Sequence, residues 1–295
     1  MQQFTLPSFA KVNLMLRILG KRGDGFHELF TVFQTVSLRD SISFTADADL
    51  KMTCDRYYIP TDGRNLVMKA ATALRERFGV KKGAKMHLEK RIPTPGGLGG
   101  GSSNAAVALV GLKRLWEIDC DNKDLNEIAA TLGSDVPFFL TGGIAIGTGR
   151  GEVIEPILDA QPQMMLIVTP RVRVSTRTAF ERINASTLTN GDLKRILRDC
   201  RTDAKLLDLR QTALTNDFEA SVFAAYPEVQ RVKQTLIELG AVNAAMSGSG
   251  ASVFAIFDKT ETRQAAIKAL DLESTWRKFA VATISRNEYR EALRR

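Results

Sequence analysis

Pro93-Thr94-Pro95-Gly96-Gly97-Leu98-Gly99-Gly100-Gly101-Ser102-Ser103-Asn104-Ala105-Ala106 decides how the rest of this chain is read. Five glycines in six positions leave few side chains in the way, so backbone N–H groups can turn towards a ligand. Ser102, Ser103 and Asn104 follow as good helix N-cap residues. Ala105 to Val110, continuing through Leu112, Leu115 and Trp116, then reads as a buried helix, apolar almost all round. A glycine loop opening into a helix N-terminus is an anion site, because free N–H groups and the helix dipole both favour phosphate. A flexible linker would not normally lead into a buried helix. There is no Gly-Lys-Ser/Thr ending of the Walker kind, and no third glycine where a dinucleotide fingerprint needs one.

The loop resembles the central motif of the GHMP kinases, roughly Pro-x-x-x-Gly-Leu-Gly-Ser-Ser-Ala, which wraps the ATP phosphates. Gly-Leu-Gly-Gly-Gly-Ser-Ser-Asn-Ala-Ala is similar to one branch, the 4-diphosphocytidyl-2-C-methyl-D-erythritol kinases of isoprenoid precursor synthesis. The resemblance implies ATP binding by Pro93, Gly96, Gly97, Leu98, Gly99, Gly100, Gly101, Ser102 and Ser103. Pro95 departs from the small residue usual in the family; it restricts the loop entrance and lacks an N–H.

The 295 residues suit one large or two modest domains, and 44% hydrophobic with 25% charged residues is ordinary globular composition. No apolar run approaches the roughly twenty residues of a membrane span. The start of the chain does not read as a signal peptide. Cys54, Cys120 and Cys200 stand far apart in no metal or redox spacing, so a reduced cytoplasmic protein is the default. A net charge of +8 suits an anionic ligand or nucleic acid, but the basic residues are dispersed, without the aromatic–basic alternation of RNA binders. Two histidines exclude a His-rich metal site, and no side chain is assigned to a metal.

Ser8 to Leu19 reads as a strand, with Ala10, Val12, Leu14, Leu16 and Ile18 on one face and Lys11, Asn13, Met15 and Arg17 on the other. Spacing alone favours an exposed polar face; Pro-Ser-Phe-Ala-Lys-Val-Asn-Leu, however, is similar to the family's first motif, with Phe9 where proline is usual. Gly25-Phe26-His27 resembles a Gly-Tyr-His segment in which the aromatic stacks on cytosine and the histidine bonds the base; Phe26 lacks the tyrosine hydroxyl. Thr31–Thr35 and Ile42–Phe44 read as strands broken at Arg39-Asp40, and 47–61 as irregular. Asn65 suits a helix cap; by resemblance Asn65, Leu66 and Lys90 border the adenine. Asp135, two residues before Pro137, reads plainly as an N-cap, yet Leu-Gly-Ser-Asp-Val-Pro-Phe-Phe resembles the family's catalytic-aspartate segment. Gly142 to Glu152 reads as a structural hairpin. Val174-Ser175-Thr176 leads to Phe180, which by resemblance supplies the second face of a cytosine sandwich, a capping serine and core phenylalanine being the alternative. Met246 to Ala251 resembles the third motif, implying Gly248 and Gly250 beside substrate, though a tight turn reads the same. Further helices are expected over 124–132, 190–209, from Asn216 or Asp217, over 229–239 and over 262–270, and further strands over 164–169 and 279–284.

The resemblance implies an α+β GHMP kinase fold: residues 1–158 like the second domain of ribosomal protein S5, and 159–295 a ferredoxin-like domain. It implies γ-phosphoryl transfer from ATP, with Mg²⁺, to the substrate's 2-hydroxyl, with Asp135 as base, Lys11 as its partner and Asn13 orienting substrate. The expected partners are ATP and a cytidine diphosphate sugar-alcohol, with neither nucleic acid nor membrane. The alternatives are a mevalonate- or homoserine-type GHMP kinase, or a non-catalytic RNA-binding module.

Overall fold

In the computed structural model, residues 3–159, 161–183, 190–209, 212 and 214–294 are described. The first half runs β1 (Gln3–Lys21), β2 (His27–Asp47), β3 (Leu50–Cys54), α1 (Leu66–Phe78), β4 (Gly83–Glu89), α2 (Gly100–Trp116), α3 (Asn122–Leu132), α4 (Phe138–Thr141), β5 (Ile144–Gly149) and β6 (Val153–Pro156). The second runs β7 (Met164–Thr169), α5 (Thr176–Glu181), α6 (Asn190–Lys205), β8 (Thr215–Asn216), α7 (Glu219–Ala225), α8 (Pro227–Glu238), β9 (Asn243–Met246), β10 (Val253–Phe257), α9 (Thr260–Ala269), β11 (Arg277–Ala282) and α10 (Arg286–Arg294).

One sheet has the order β3-β4-β2-β1-β8, with β5 on β2 and β6 on β5; the other has β11-β7-β10-β9. Period-two alternation explains the layers. Ala10, Val12 and Leu14 of the first sheet are buried together with Met165, Ile167, Phe254 and Ile256 of the second. The intervening residues Leu166, Val168, Val253 and Ala255 turn the other way, onto Val229, Val232 and Leu236 of α8. On its far side the first sheet carries α1, α2 and α3. Around Ala10–Leu14 both faces of the first sheet are covered, whereas its β4 margin leaves Lys85 and Glu89 exposed; Lys11 and Asn13 are not on the exposed face that spacing alone favours.

Several expectations are corrected. Arg39-Asp40 does not interrupt β2, because Asp40 is buried and fully bonded. The segment read as irregular contains β3, which pairs in parallel with β4. Helix α2 starts at Gly100 after Gly99, so Ser102, Ser103 and Asn104 lie inside its first turns rather than capping it. Asn216 belongs to β8, pairing in parallel with β1, and α7 starts at Glu219. The sequence reading also missed α10, whose start carries a capping box: Ser285 N–H donates to Glu288 Oε2 at 2.9 Å, and Glu288 N–H to Ser285 Oγ at 3.2 Å.

Candidate active site

β1 enters the helix side of its sheet with Lys11 and Asn13, opposite Thr35 and Phe33 of β2. The pairing slips between Asn13 and Met15, which ends the alternation and returns Met15 to the inter-sheet core. Lys11 is 3% exposed and Asn13 2%. Lys11 Nζ donates to Asn13 Oδ1 at 2.7 Å; Asn13 Nδ2 donates to Thr31 Oγ1 at 2.8 Å; Thr31 in turn donates to the Met15 carbonyl at 2.8 Å. Each polar atom in this chain is aimed by the next, so the ammonium is held in one place.

Lys11 Nζ lies 3.2 Å from Asp135 Oδ2. Asp135 sits in a turn where Val136 N–H donates to the Gly133 carbonyl at 3.1 Å, and α4 begins only at Phe138 with no side-chain cap. The plain reading of Asp135 as an N-cap is therefore wrong. Its carboxylate remains 33% exposed and lines a cavity of 320 Å³ with Lys11, Asn13, Thr31, Gly97 and Gly99. A fixed ammonium beside a partly open carboxylate places a positive charge and a proton acceptor within reach of one bound hydroxyl.

The glycine loop forms another wall. Gly97 and Gly99 have φ of +71° and +68°, and a Cβ on Gly97 would stand 2.1 Å from the Ser247 carbonyl oxygen. Ser103 N–H donates to the Gly99 carbonyl at 2.8 Å, which leaves the N–H groups of Gly100, Gly101 and Ser102 in the unclosed first turn of α2. Leu98 is buried, and its carbonyl accepts from Lys11 N–H at 3.0 Å, so loop and strand are directly joined. Ser103 is buried and its hydroxyl accepts from Ser8 Oγ at 2.8 Å, away from the loop mouth. Asn65 caps α1 by accepting from Val67 N–H at 2.9 Å, and Leu66 Cδ1 lies 3.7 Å from where a Gly101 Cβ would be. Lys90 is buried below the loop, where its ammonium pairs with Asp40. Pro93 is buried at the loop stem, and Ser252 N–H donates to the Gly96 carbonyl at 3.2 Å.

The 246–252 turn locks this loop from the other side. Ser247 Oγ donates to the Gly97 carbonyl at 2.9 Å, and Gly248 lies against Gly97 and near Asn13 Oδ1. Gly250 lies near Met246 and Val174 instead. Asn216 fixes the turn to the first sheet by donating to the Met246 and Gly248 carbonyls at 2.7 and 2.8 Å.

Phe26, His27 and Phe180 line a second cavity of 720 Å³. His27 stacks on Phe180 with centroids 5.2 Å apart, and the Arg150 guanidinium lies 5.0 Å from the Phe26 centroid. Burial, and then the Lys21 charge, hold the His27 pKa below its ordinary value. Ser175 caps α5, and Thr176 shares a 2.8 Å hydrogen bond with Ser249 where the two cavities meet.

Sequence reading missed Thr31, Asn216, Arg150 and Asp40. Asp40 shares a strand face with Ile42 and Phe44, so a carboxylate at an inward position was the available signal. Thr31, Asn216 and Arg150 gave no local signal, because their partners lie far away along the chain.

The family model "GHMP kinases N terminal domain" matches residues 65–143, and "GHMP kinases C terminal" matches 189–273. The chain is 44% identical over 263 residues to a 4-diphosphocytidyl-2-C-methyl-D-erythritol kinase of Chlorobium phaeobacteroides (strain BS1), covering 88% of this chain and 91% of the relative. It is 38% identical to the kinase so named from Prosthecochloris aestuarii, covering 94% and 96%. A crystal structure of 4-(cytidine 5'-diphospho)-2C-methyl-D-erythritol kinase matches with a TM-score of 0.76 and 32% identity, over 95% of this chain and 99% of that one. A homoserine kinase from Cytophaga hutchinsonii shares the fold at a TM-score of 0.69 and 20% identity, over 95% of both chains. The α+β architecture, the two matched domains and these relatives agree: the chain belongs to the 4-diphosphocytidyl-2-C-methyl-D-erythritol kinases, a branch of the GHMP kinases.

Proposed function

We propose that this kinase transfers the γ-phosphoryl group of ATP to the 2-hydroxyl of 4-diphosphocytidyl-2-C-methyl-D-erythritol. The observation that carries the reading is the 3.2 Å approach of Lys11 Nζ to Asp135 Oδ2, in a cavity walled by the glycine loop and sharing lining residues with the Phe26–His27 cavity. Asp135 takes the proton from the hydroxyl as its oxygen attacks the γ-phosphorus, and the bond to the departing ADP oxygen breaks. Lys11 fixes the Asp135 carboxylate in place and offsets charge on the moving group. Asn13, backed by Thr31, orients the substrate, and Gly248 shapes its side of the cavity, with Gly250 behind it supporting the turn.

The N–H groups of Gly100, Gly101 and Ser102 in the unclosed first turn of α2, with the loop from Gly96 that leads into it, receive the ATP phosphates. Asn65, Leu66, Lys90 and Pro93 surround its base. Phe26, His27 and Phe180 hold the cytosine, by stacking and by hydrogen bonding to its edge. Among the described residues, no group of three His, Cys, Asp or Glu could hold a metal, and Asp135 is the carboxylate lining the cavity. This donor set fits Mg²⁺ carried mainly by phosphate oxygens, and Asp135 is the side chain that would help to hold it. When bound, the ion neutralises charge on the transferred group. The enzyme would act in the cytoplasm. ADP release on offering the cytidine substrate with Mg-ATP tests the reading; turnover of mevalonate or homoserine in its place would overturn it.

A further inference from the structure

Arg150 has no part in the roles given above, yet it stands where the two cavities meet. The 320 Å³ cavity containing Lys11 and Asp135 and the 720 Å³ cavity containing Phe26 and His27 share five lining residues: Leu29, Ser134, Arg150, Thr176 and Phe180. Arg150 is the cation among them. Lys11 lines only the first cavity, and Lys21 and Arg177 only the second.

We propose that Arg150 binds the diphosphate of the cytidine substrate and so makes the enzyme prefer a cytidine diphosphate ester to a bare nucleoside. This inference rests on the substrate reading above. A molecule with its base in one cavity and its reacting hydroxyl in the other must carry its diphosphate through the junction. Two adjacent negative charges there need a cation within reach.

The hairpin between β5 and β6 anchors the Arg150 backbone and leaves its side chain adjustable. Gly149 N–H donates to Glu28 Oε1 at 3.0 Å, Arg150 N–H to Glu152 Oε2 at 2.6 Å, and Gly151 N–H to the Thr148 carbonyl at 3.1 Å. Glu28 is itself held by Arg22 at 2.6 Å. The guanidinium makes two contacts, the stacking over Phe26 at 5.0 Å and a 3.5 Å approach to Glu152 Oε1, with its side chain 36% exposed. Both are weak, exchangeable contacts that a phosphate can displace. The planar fork of a guanidinium suits phosphate oxygens. The Thr176–Ser249 hydroxyl pair adds neutral donors at the same junction. A cytosine on Phe26 either displaces the guanidinium towards the junction or uses the other ring face; both leave Arg150 within the shared wall.

Inhibition constants for CDP and for cytidine, each competing with the cytidine substrate, test this in wild type, Arg150→Ala and Arg150→Lys. Arg150→Ala is expected to weaken CDP about tenfold while moving cytidine by no more than about twofold, with Arg150→Lys in between. The substrate KM should rise with the CDP constant, and the ATP KM should stay near that of wild type. Equal losses for CDP and cytidine would make Arg150 only a cover for Phe26 and overturn the proposal. Unchanged CDP binding in Arg150→Ala, in an enzyme whose wild type turns over, would overturn this inference alone. A wild type that releases no ADP with the cytidine substrate would overturn the substrate reading and this inference together.

Discussion

Two lysines are buried in the N-terminal half, Lys11 and Lys90, and each faces one carboxylate. At Lys90 the partner is Asp40, whose side chain is 0% exposed. Asp40 Oδ1 accepts from Arg91 N–H at 2.7 Å and Ile92 N–H at 2.8 Å; Oδ2 accepts from Asn104 Nδ2 at 2.9 Å and from the ammonium itself. That carboxylate has no lone pair left for a visitor. At Lys11 the ammonium is as deeply placed, but Asp135 keeps 33% exposure towards the cavity. Burial of the lysine does not separate the two pairs; the unspent capacity of the carboxylate does. One pair ties β2 and the loop stem to α2, and the other is open to react.

Asp135 is where the two pairs should part most widely. Asp135→Asn keeps the size and can still accept from Lys11, but takes up no proton at neutral pH. Loss of a general base predicts a fall in kcat of about 10²–10⁴-fold, with a smaller loss of stability than that of Asp40→Asn, because the open cavity admits water to the Lys11 ammonium. Steady-state kinetics and a melting curve on the same sample measure both. Near-normal turnover would reduce Lys11–Asp135 to the same standing as Lys90–Asp40.

The second prediction takes the closed pair. Asp40→Asn leaves a buried ammonium without its counter-charge and is expected to lower stability by about 3–5 kcal/mol. The double variant Asp40→Asn/Lys90→Met removes both charges while the residue 40 Oδ1 still accepts from the Arg91 and Ile92 N–H groups, and should recover much of that loss. Denaturant midpoints for the single and double variants decide it. A single variant as stable as wild type would mean that the pair contributes nothing to holding the loop stem.

The sequence made one of these pairs readable and hid the other, and the reason is physical. Lys11 and Asp135 each lie in a short motif whose residues are set by chemistry, so resemblance found both, although they are 124 positions apart (135 − 11). Asp40 lies in no motif, and as a charge within a strand it reads as a break. Element types were legible from periodicity in β1, β7, α1 and α8, where one alternation or one apolar stripe dominates. β8 and β3 were not, because a two-residue parallel bridge and a short edge strand owe their pairing to partners elsewhere in the chain. Thr31 and Asn216 failed to register for the same reason: their roles come from carbonyls and amides brought to them by folding.

The smallest effect concerns His27, which is half-buried in the wall of the second cavity. Its pKa lies below the ordinary histidine value of about 6.5, first because burial disfavours the charged ring and then because Lys21 repels it. The imidazole is therefore neutral at pH 7. The sign follows from proton uptake: below the ordinary value the unfolded chain protonates first. The stability held by the neutral ring is thus present above pH ~6.5 and is lost as pH falls through the lower folded value. Binding should follow the same window. The KM for the cytidine substrate should be flat between about pH 7 and 8 and change only on the acid side of the ordinary histidine range, and His27→Gln should remove that inflection. His87, whose Nδ1 lies 2.8 Å from Thr53 Oγ1 beside β3, is far from both cavities, so it provides the control: His87→Gln should leave the inflection in place. An inflection above pH ~6.5, or one that survives His27→Gln, would place the titrating group elsewhere and remove His27 from the base-reading role.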